Sequence, residues 1–208
     1  MRKNDPVSTR DRILDAAQRL FEAQGYNATG VAEILRESGS NSGSLYHFFG
    51  SKEDLLVAVL RRHVERLDQD VLGPATGQSE DAVTRVLALF DGYRRSLRAS
   101  DFRSGCPVGD LALEVADVSP AAQEQVAQYF DDWCDGVRGW LEASGNCLPP
   151  NADPARTARL LLTVVQGALM QGRALRSVAP FDECVDQLRV LLRWRSIAGR
   201  RCKRQRGR

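Results

Sequence analysis

The sequence predicts an all-α fold, and three observations carry that expectation. Apolar residues recur at three- and four-residue spacing in segment after segment. No segment shows the period-two alternation of a half-buried strand. Helix punctuation, in the form of Ser, Thr, Asn or Asp caps, first-turn prolines and closing glycines, falls between the periodic stretches. About nine helices are expected.

The first helix starts from a cap near Ser8 or Thr9, carries Ile13, Ala16, Ala17, Leu20 and Phe21, and stops at Gly25. A short second helix holds Val31, Ile34 and Leu35 between Thr29 and Gly39, and a third runs from Asn41 to about Phe48. Ser51-Lys52-Glu53-Asp54 has the form of a capping box and opens a fourth, whose stripe runs from Leu55 through His63 and Leu67 to Val71. Gly73-Pro74 breaks it. A fifth begins at Ser79 and contains Val86, Phe90, Tyr93 and Leu97, and a shorter one follows Gly105-Cys106-Pro107. Ser119-Pro120 opens a helix through Leu141, Asp153-Pro154 opens a long apolar one through Leu175, and Pro180 or Phe181 opens the last.

Composition bounds the function. The 208 residues are 43% hydrophobic and 27% charged, ordinary for a globular chain. Net charge is +2, but six of the basic residues lie between Arg200 and Arg208, so the body is acidic. Such a body is a poor general polyanion binder, and any DNA contact must be local. Five scattered cysteines without a CxxC pair argue against structural zinc and for reduced thiols in a cytoplasmic setting. The N-terminus lacks the pattern of a signal peptide, and the longest apolar run, from Leu160 to Val165, is too short to span a bilayer. The two histidines, His47 and His63, lie outside the C-terminal helices, and neither metal set, nucleophile motif nor phosphate loop occurs. An enzyme is not expected, and neither is a cofactor or a bound metal.

Residues 24–56 carry the function. Two short helices meet across Ser38-Gly39-Ser40, a turn of helix-turn-helix length with the expected glycine. Gly43 in the second of them permits close backbone approach to DNA, while Leu45 and either Phe48 or Phe49 face inward. Lys52 in the first turn of a helix opposes the macrodipole, and a phosphate there would be attracted by both. A solvated lysine is the competing expectation.

The segments Gly25–Val31 and Gly39–Leu56, with the ordered run Ser44-Leu45-Tyr46-His47-Phe48-Phe49-Gly50-Ser51-Lys52-Glu53-Asp54-Leu55-Leu56, resemble the TetR family of transcriptional regulators. The resemblance implies a homodimeric repressor: a helix-turn-helix domain over residues 1–52, a ligand-binding and dimerisation domain over 53–198, and a basic tail over 199–208. It implies that Thr29 caps the second helix against a phosphate. It further implies that Asn41, Ser42, Gly43, Ser44, Tyr46 and His47 present the recognition helix, with Lys52 on the DNA backbone. Three positions depart from the family pattern. Gly30 removes a hydroxyl donor, Ser40 weakens the turn's packing, and Ser42 leaves no strong base-reading side chain. Specificity is then expected from His47, Ser42 and DNA shape.

Ser104–Glu114 and Gln166–Leu169 resemble NemR-like and LmrA/YxaF-like members. Cys106 as the N-cap of a helix would have a lowered pKa and could sense an electrophile or oxidant; a small packed residue is the alternative. Phe90, Tyr93, Cys106, Phe130, Trp133, Trp140, Gln166 and Met170 are candidates for a pocket that takes a small apolar or aromatic effector, against the alternative that they are plain core. Leu161, Leu162, Val164, Val165, Ala168, Leu188, Leu191, Leu192 and Trp194, on the last two helices, are candidates for a two-fold interface. A regulator without a small-molecule ligand is the competing function. The expected partner is a palindromic or near-palindromic double-stranded operator, and the fourth helix, from Ser51 to about Leu72, is expected to carry the signal.

Overall fold

A computed structural model describes residues 8–67, 73, 81–115, 119–143, 148 and 151–191. Among them it shows nine helices and no strand. They are α1 (Thr9–Gln24), α2 (Val31–Ser38), α3 (Ser42–Phe49), α4 (Lys52–Leu67), α5 (Ala82–Ala99), α6 (Pro107–Val115), α7 (Pro120–Ala143), α8 (Pro154–Leu175) and α9 (Ala179–Leu191). None is long and apolar enough to cross a membrane.

The helix starts follow local chemistry. Ser8 Oγ accepts the Asp11 N–H at 3.1 Å, and Asn41 Oδ1 accepts the Ser44 N–H at 2.8 Å. Ser51 Oγ accepts from Asp54 N–H at 3.0 Å, the forward half of the box, and donates to the Asp54 carboxylate at 2.7 Å; the return bond is not made, because the Ser51 N–H goes to the Phe49 carbonyl. Ser119 and Asp153 cap α7 and α8, each ahead of a first-turn proline. Two starts differ from expectation. The cap of α5 is Asp81, accepting the Thr84 N–H at 2.8 Å, where Ser79 was expected. The α9 helix opens at Ala179, whose N–H Ser177 Oγ accepts at 3.1 Å. The break after Gly73, the 68–72 end expected for α4 and the basic tail lie outside the described residues.

The first three helices share a small core of Ile13, Ala17, Phe21, Ile34, Leu45 and Phe49. Leu55, Leu56, Val59 and Leu60 of α4 close it, and α4 also packs against α6 and α7. Arg62 clamps α4 to α1 by pairing with Asp15 and Asp11. The larger core is built from α5, α7, α8 and α9, with Phe90, Leu97, Val137, Leu141, Leu161, Val165 and Phe181 buried in it.

His63 lies on α4 and is only 3% exposed. Its Nε2 stands 3.6 Å from Glu22 Oε1 and makes no hydrogen bond. Burial, helped by the neighbouring charges of Arg66 and Arg62, lowers its pKa to about 4. An unfolded histidine binds its proton near 6.5, so the folded state is at full advantage above that pH and loses it as the pH falls towards 4. The loss amounts to about 3 kcal/mol. Denaturant titrations between pH 7 and 4.5 should show this decline, and His63→Leu should flatten it; an unchanged slope in that variant would assign the decline to other groups.

Candidate functional site

The turn between α2 and α3 is built for a tight corner. Gly39 ends α2 in the left-handed region at φ 61°, where a side chain would be strained. Arg12 Nε donates to the Ser38 carbonyl at 3.3 Å, tying the turn to α1. Ser40 is half-buried and donates to the same carbonyl at 3.4 Å.

Leu45 and Phe49 face inward and are buried, whereas Phe48 faces out. That settles the choice between the two phenylalanines. The outward surface of α3 carries Ser42, Gly43, Tyr46 and His47, all exposed, beside a half-buried Ser44. Tyr46 is 52% exposed, and the His47 ring meets the Phe48 ring edge-on at 4.9 Å. The Asn41 side chain is committed to capping. This face carries hydroxyl, phenol and imidazole groups, side chains of the kinds that hydrogen-bond base edges and phosphates.

Two backbone-contact candidates sit differently from expectation. Thr29 is buried; its hydroxyl donates to the Gly25 carbonyl at 2.7 Å and closes the α1–α2 loop. The N-cap of α2 is Gly30, with no side-chain bond, so Thr29 does not cap that helix. Lys52 Nζ donates to the Tyr26 carbonyl at 2.7 Å and lies 4.1 Å above the Tyr26 ring. Burial lowers its pKa, opposed by the nearby Glu114 charge. An ammonium has three donors, so a phosphate could share it, but its first role here is to hold the loop. Tyr26 was not singled out from sequence; its signal is the aromatic residue directly after a helix-ending glycine.

In the C-terminal helices, Tyr93, Cys106 and Trp133 come together in the interior around Tyr129, whereas Phe90 is buried over the groove that Phe181 also lines. Trp133 Nε1 donates to Tyr93 Oη at 3.1 Å, and the Tyr93 and Tyr129 hydroxyls are 3.5 Å apart. Cys106 caps α6 as expected, its sulfur accepting the Gly109 N–H at 3.4 Å. Its thiol nevertheless does not become acidic. It is 2% exposed, and burial raises its pKa against the opposing contacts of Gln166 and the helix amides. Desolvation outweighs the helix terminus, which corrects the thiolate expectation. Gln166 lies against Cys106, yet its buried Nε2 makes no hydrogen bond of ordinary geometry. Phe130 is half-buried against Tyr129 at the edge of the cluster, and Trp140 is half-buried beneath the Arg85 guanidinium. Met170 is not part of it: one helical step beyond the buried Leu169, it points out of α8 and is 65% exposed.

Open clefts lie elsewhere. One of about 300 Å³ separates the end of α1 from α6 and is lined by Phe21, Gly25, Gly105, Asp110, Glu114 and Arg173. A groove of about 580 Å³ runs between α5 and α9 over Phe90 and Phe181.

The predicted two-fold surface also needs correction. Leu161, Leu162, Val165, Ala168 and Leu188 are buried within the chain, because one face of α8 and of α9 packs on α5 and α7. Val164 is half-buried. The large apolar residues that α8 and α9 leave exposed are Leu160, Met170, Leu175 and Val190. The Leu191 side chain, Leu192 and Trp194 lie outside the described residues.

Comparison with known proteins places these features. Residues 13–59 match the family model for bacterial regulatory proteins of the tetR family, and residues 82–187 match that for the C-terminal domain of LmrA/YxaF-like transcriptional regulators. An uncharacterized HTH-type transcriptional regulator of Mycobacterium tuberculosis is 30% identical over 88% of this chain and 93% of its own length. The HTH-type transcriptional repressor NemR of Escherichia coli is 27% identical over 92% and 98%. The crystal structure of reduced NemR superposes with a TM-score of 0.78 at 24% identity, covering 89% of this chain and 97% of that one.

The geometry separates two kinds of contact. His47→Ala should change the preferred base at one position in each half-site, at a cost of about 1–3 kcal/mol there. Tyr46→Phe and Lys52→Ala should weaken binding to all sequences alike, with Lys52→Ala lowering the salt slope by about one. Selection from a random DNA pool with each variant reads both. A changed preferred sequence in Lys52→Ala, with none in His47→Ala, would reverse the assignment.

Proposed function

Since the chain belongs to the TetR family of bacterial transcriptional regulators, we propose that it is a homodimeric repressor, released from a palindromic operator when a small apolar or aromatic effector enters its C-terminal helices. DNA-binding regulation is the function of the family. The observation that carries the reading to this chain is the outward face of α3, with Ser42, Tyr46 and His47 exposed on a helix anchored by Leu45 and Phe49. In this proposal residues 1–52 read DNA, residues 53–198 bind effector and partner copy, and the protein works in the cytoplasm beside the chromosome.

The dimer surface follows from what the monomer leaves uncovered. Leu160, Val164, Gly167 and Gln171 lie along one side of α8 at helical spacing, and Val190 is exposed on α9. Gly167 permits close approach of a second helix. Repression is supported by NemR, which is named a repressor. The effector is proposed to enter beside Trp133 and Cys106, where Gln166 Nε2 is buried without a hydrogen bond and can be satisfied by a polar group on an otherwise apolar ligand. A second reading, regulation without a small molecule, is favoured by one observation: the Trp133–Tyr93–Tyr129 cluster already makes its own hydrogen bonds.

Two measurements decide. Selected DNA should be a near-palindrome with half-site centres about one helical turn, 34–36 Å, or a multiple of it, apart. Aromatic and apolar compounds should then release the protein, and operator DNA must weaken compound binding by the same factor. Compounds that bind these helices tightly without changing operator affinity would leave the second reading. For the interface, Val164→Glu places an unpaired carboxylate in an apolar contact. It should weaken the dimer by two or more orders of magnitude, at about 3 kcal/mol or above. Sedimentation at micromolar concentration should show a monomer; a dimer of unchanged strength would move the interface elsewhere.

A further inference from the structure

The loop that leads into the helix-turn-helix unit is held by a residue of the C-terminal helices. Glu114, at the end of α6, accepts the backbone N–H of Asn27 on Oε2 at 3.0 Å. The approach is close on both sides. Gly25 ends α1 at φ +87°, a conformation that disfavours a side chain, and a Cβ there would push the Glu114 carboxylate off the loop. From the other side, Lys52 holds the Tyr26 carbonyl, and the Glu114 charge favours the charged lysine. Thr29 closes the loop on itself through its hydroxyl to Gly25 and its N–H to the Tyr26 carbonyl at 3.3 Å. Residues 25–29 thus form a hydrogen-bonded unit continuous with α2, and Glu114 ties that unit to α6.

One turn earlier on the same face of α6, Asp110 pairs with Arg173 near the end of α8 at 2.9 Å. The two carboxylates make α6 a strut between α8 and the DNA-reading unit.

We propose that Glu114 is a positioning residue for operator binding. Through Asn27 N–H it fixes the tilt of the helix-turn-helix unit on the C-terminal helices, and hence the separation of the two α3 helices in the dimer. The inference rests on the proposed DNA-binding dimer. A palindrome requires both recognition helices at one spacing, and a unit freed from its tether must be ordered at binding, which costs affinity. A single half-site makes no such demand.

The experiment compares Glu114→Ala with Glu114→Gln in the full chain. Both remove one negative charge, so their effect on the DNA field is the same. Only glutamine keeps an oxygen to accept the Asn27 N–H. Glu114→Ala should bind the two-half-site operator at least about fivefold more weakly than Glu114→Gln, the lower end of an ordinary coupling. The two should bind an isolated half-site within about twofold of each other. Equal operator affinities would overturn the proposal, and so would an alanine loss of the same size on the half-site, which would mark a local folding defect. Amide exchange in the free protein gives a readout without DNA. Asn27 N–H should exchange about tenfold faster in Glu114→Ala than in Glu114→Gln or the wild type. Unchanged exchange in Glu114→Ala also overturns the tether, whereas failure to select any operator with the wild type counts against the DNA-binding reading instead.

Discussion

A helix of eight residues does not hold its shape alone in water, since the cost of nucleating it is not recovered over two turns. The α3 helix is such a helix, and everything it can present to DNA depends on Leu45 and Phe49 being buried behind it. Those two side chains pack against α1 and α4, which are each twice as long and carry their own apolar faces. The cap at Asn41 then satisfies one of the backbone donors that a short helix leaves orphaned in large proportion. The exposed face is free to be chosen for recognition because it contributes little to stability. That freedom is what allows Gly43 in the first turn of the helix, at a cost of at most about 1 kcal/mol relative to alanine.

The C-terminal interior obeys a different constraint. Trp133, Tyr93 and Tyr129 bring polar atoms into an apolar core, where an unmade hydrogen bond costs about 1–3 kcal/mol. They satisfy one another, and burial holds the Tyr129 hydroxyl firmly protonated. Cys106 meets the same low-polarity surroundings, which is why its position at a helix start does not make it a thiolate. A helix terminus contributes a partial charge; full burial removes the water that would have stabilised the anion, and the second effect is larger here.

Much of this was legible in the sequence. Periodicity and capping residues located all nine described helices, and the Asn41, Ser51, Ser119 and Asp153 caps behave as their residue types predict. The recognition helix and its inward residues were legible because a 3.6-residue period divides a short helix cleanly into two faces. Three things were not. Which face of α8 turns to its own chain depends on the placement of α5 and α7, so Leu161 and Val165 could not be separated from Leu160 and Val164 by spacing alone. Thr29 has the residue type of a cap, but Gly30 occupies the N-cap position and the Thr29 hydroxyl donates to the Gly25 carbonyl across the loop. Burial of Cys106 is a tertiary fact that the cap position does not contain.

Signal transmission shows the same division. The unbroken apolar stripe of α4 marks it as an element that touches both ends of the molecule, and it does pack on α1, α6 and α7. The second connecting element, α6, is nine residues long, and its links are charged side chains that a hydrophobic pattern assigns to solvent. Its geometry is nonetheless well suited to the task. Cys106 at its start belongs to the aromatic cluster, and Glu114, about 12 Å along a rigid helix, touches the loop that leads into α2. A ligand biases an equilibrium only through contacts that differ between two states. In the proposed mechanism a group entering beside Cys106 and Gln166 displaces the first turn of α6, and the Asn27 contact at the far end of that short helix follows or breaks. In the proposed mechanism α4 and α6 therefore act on the DNA-reading unit together, α4 from beneath α3 and α6 through the α1–α2 loop.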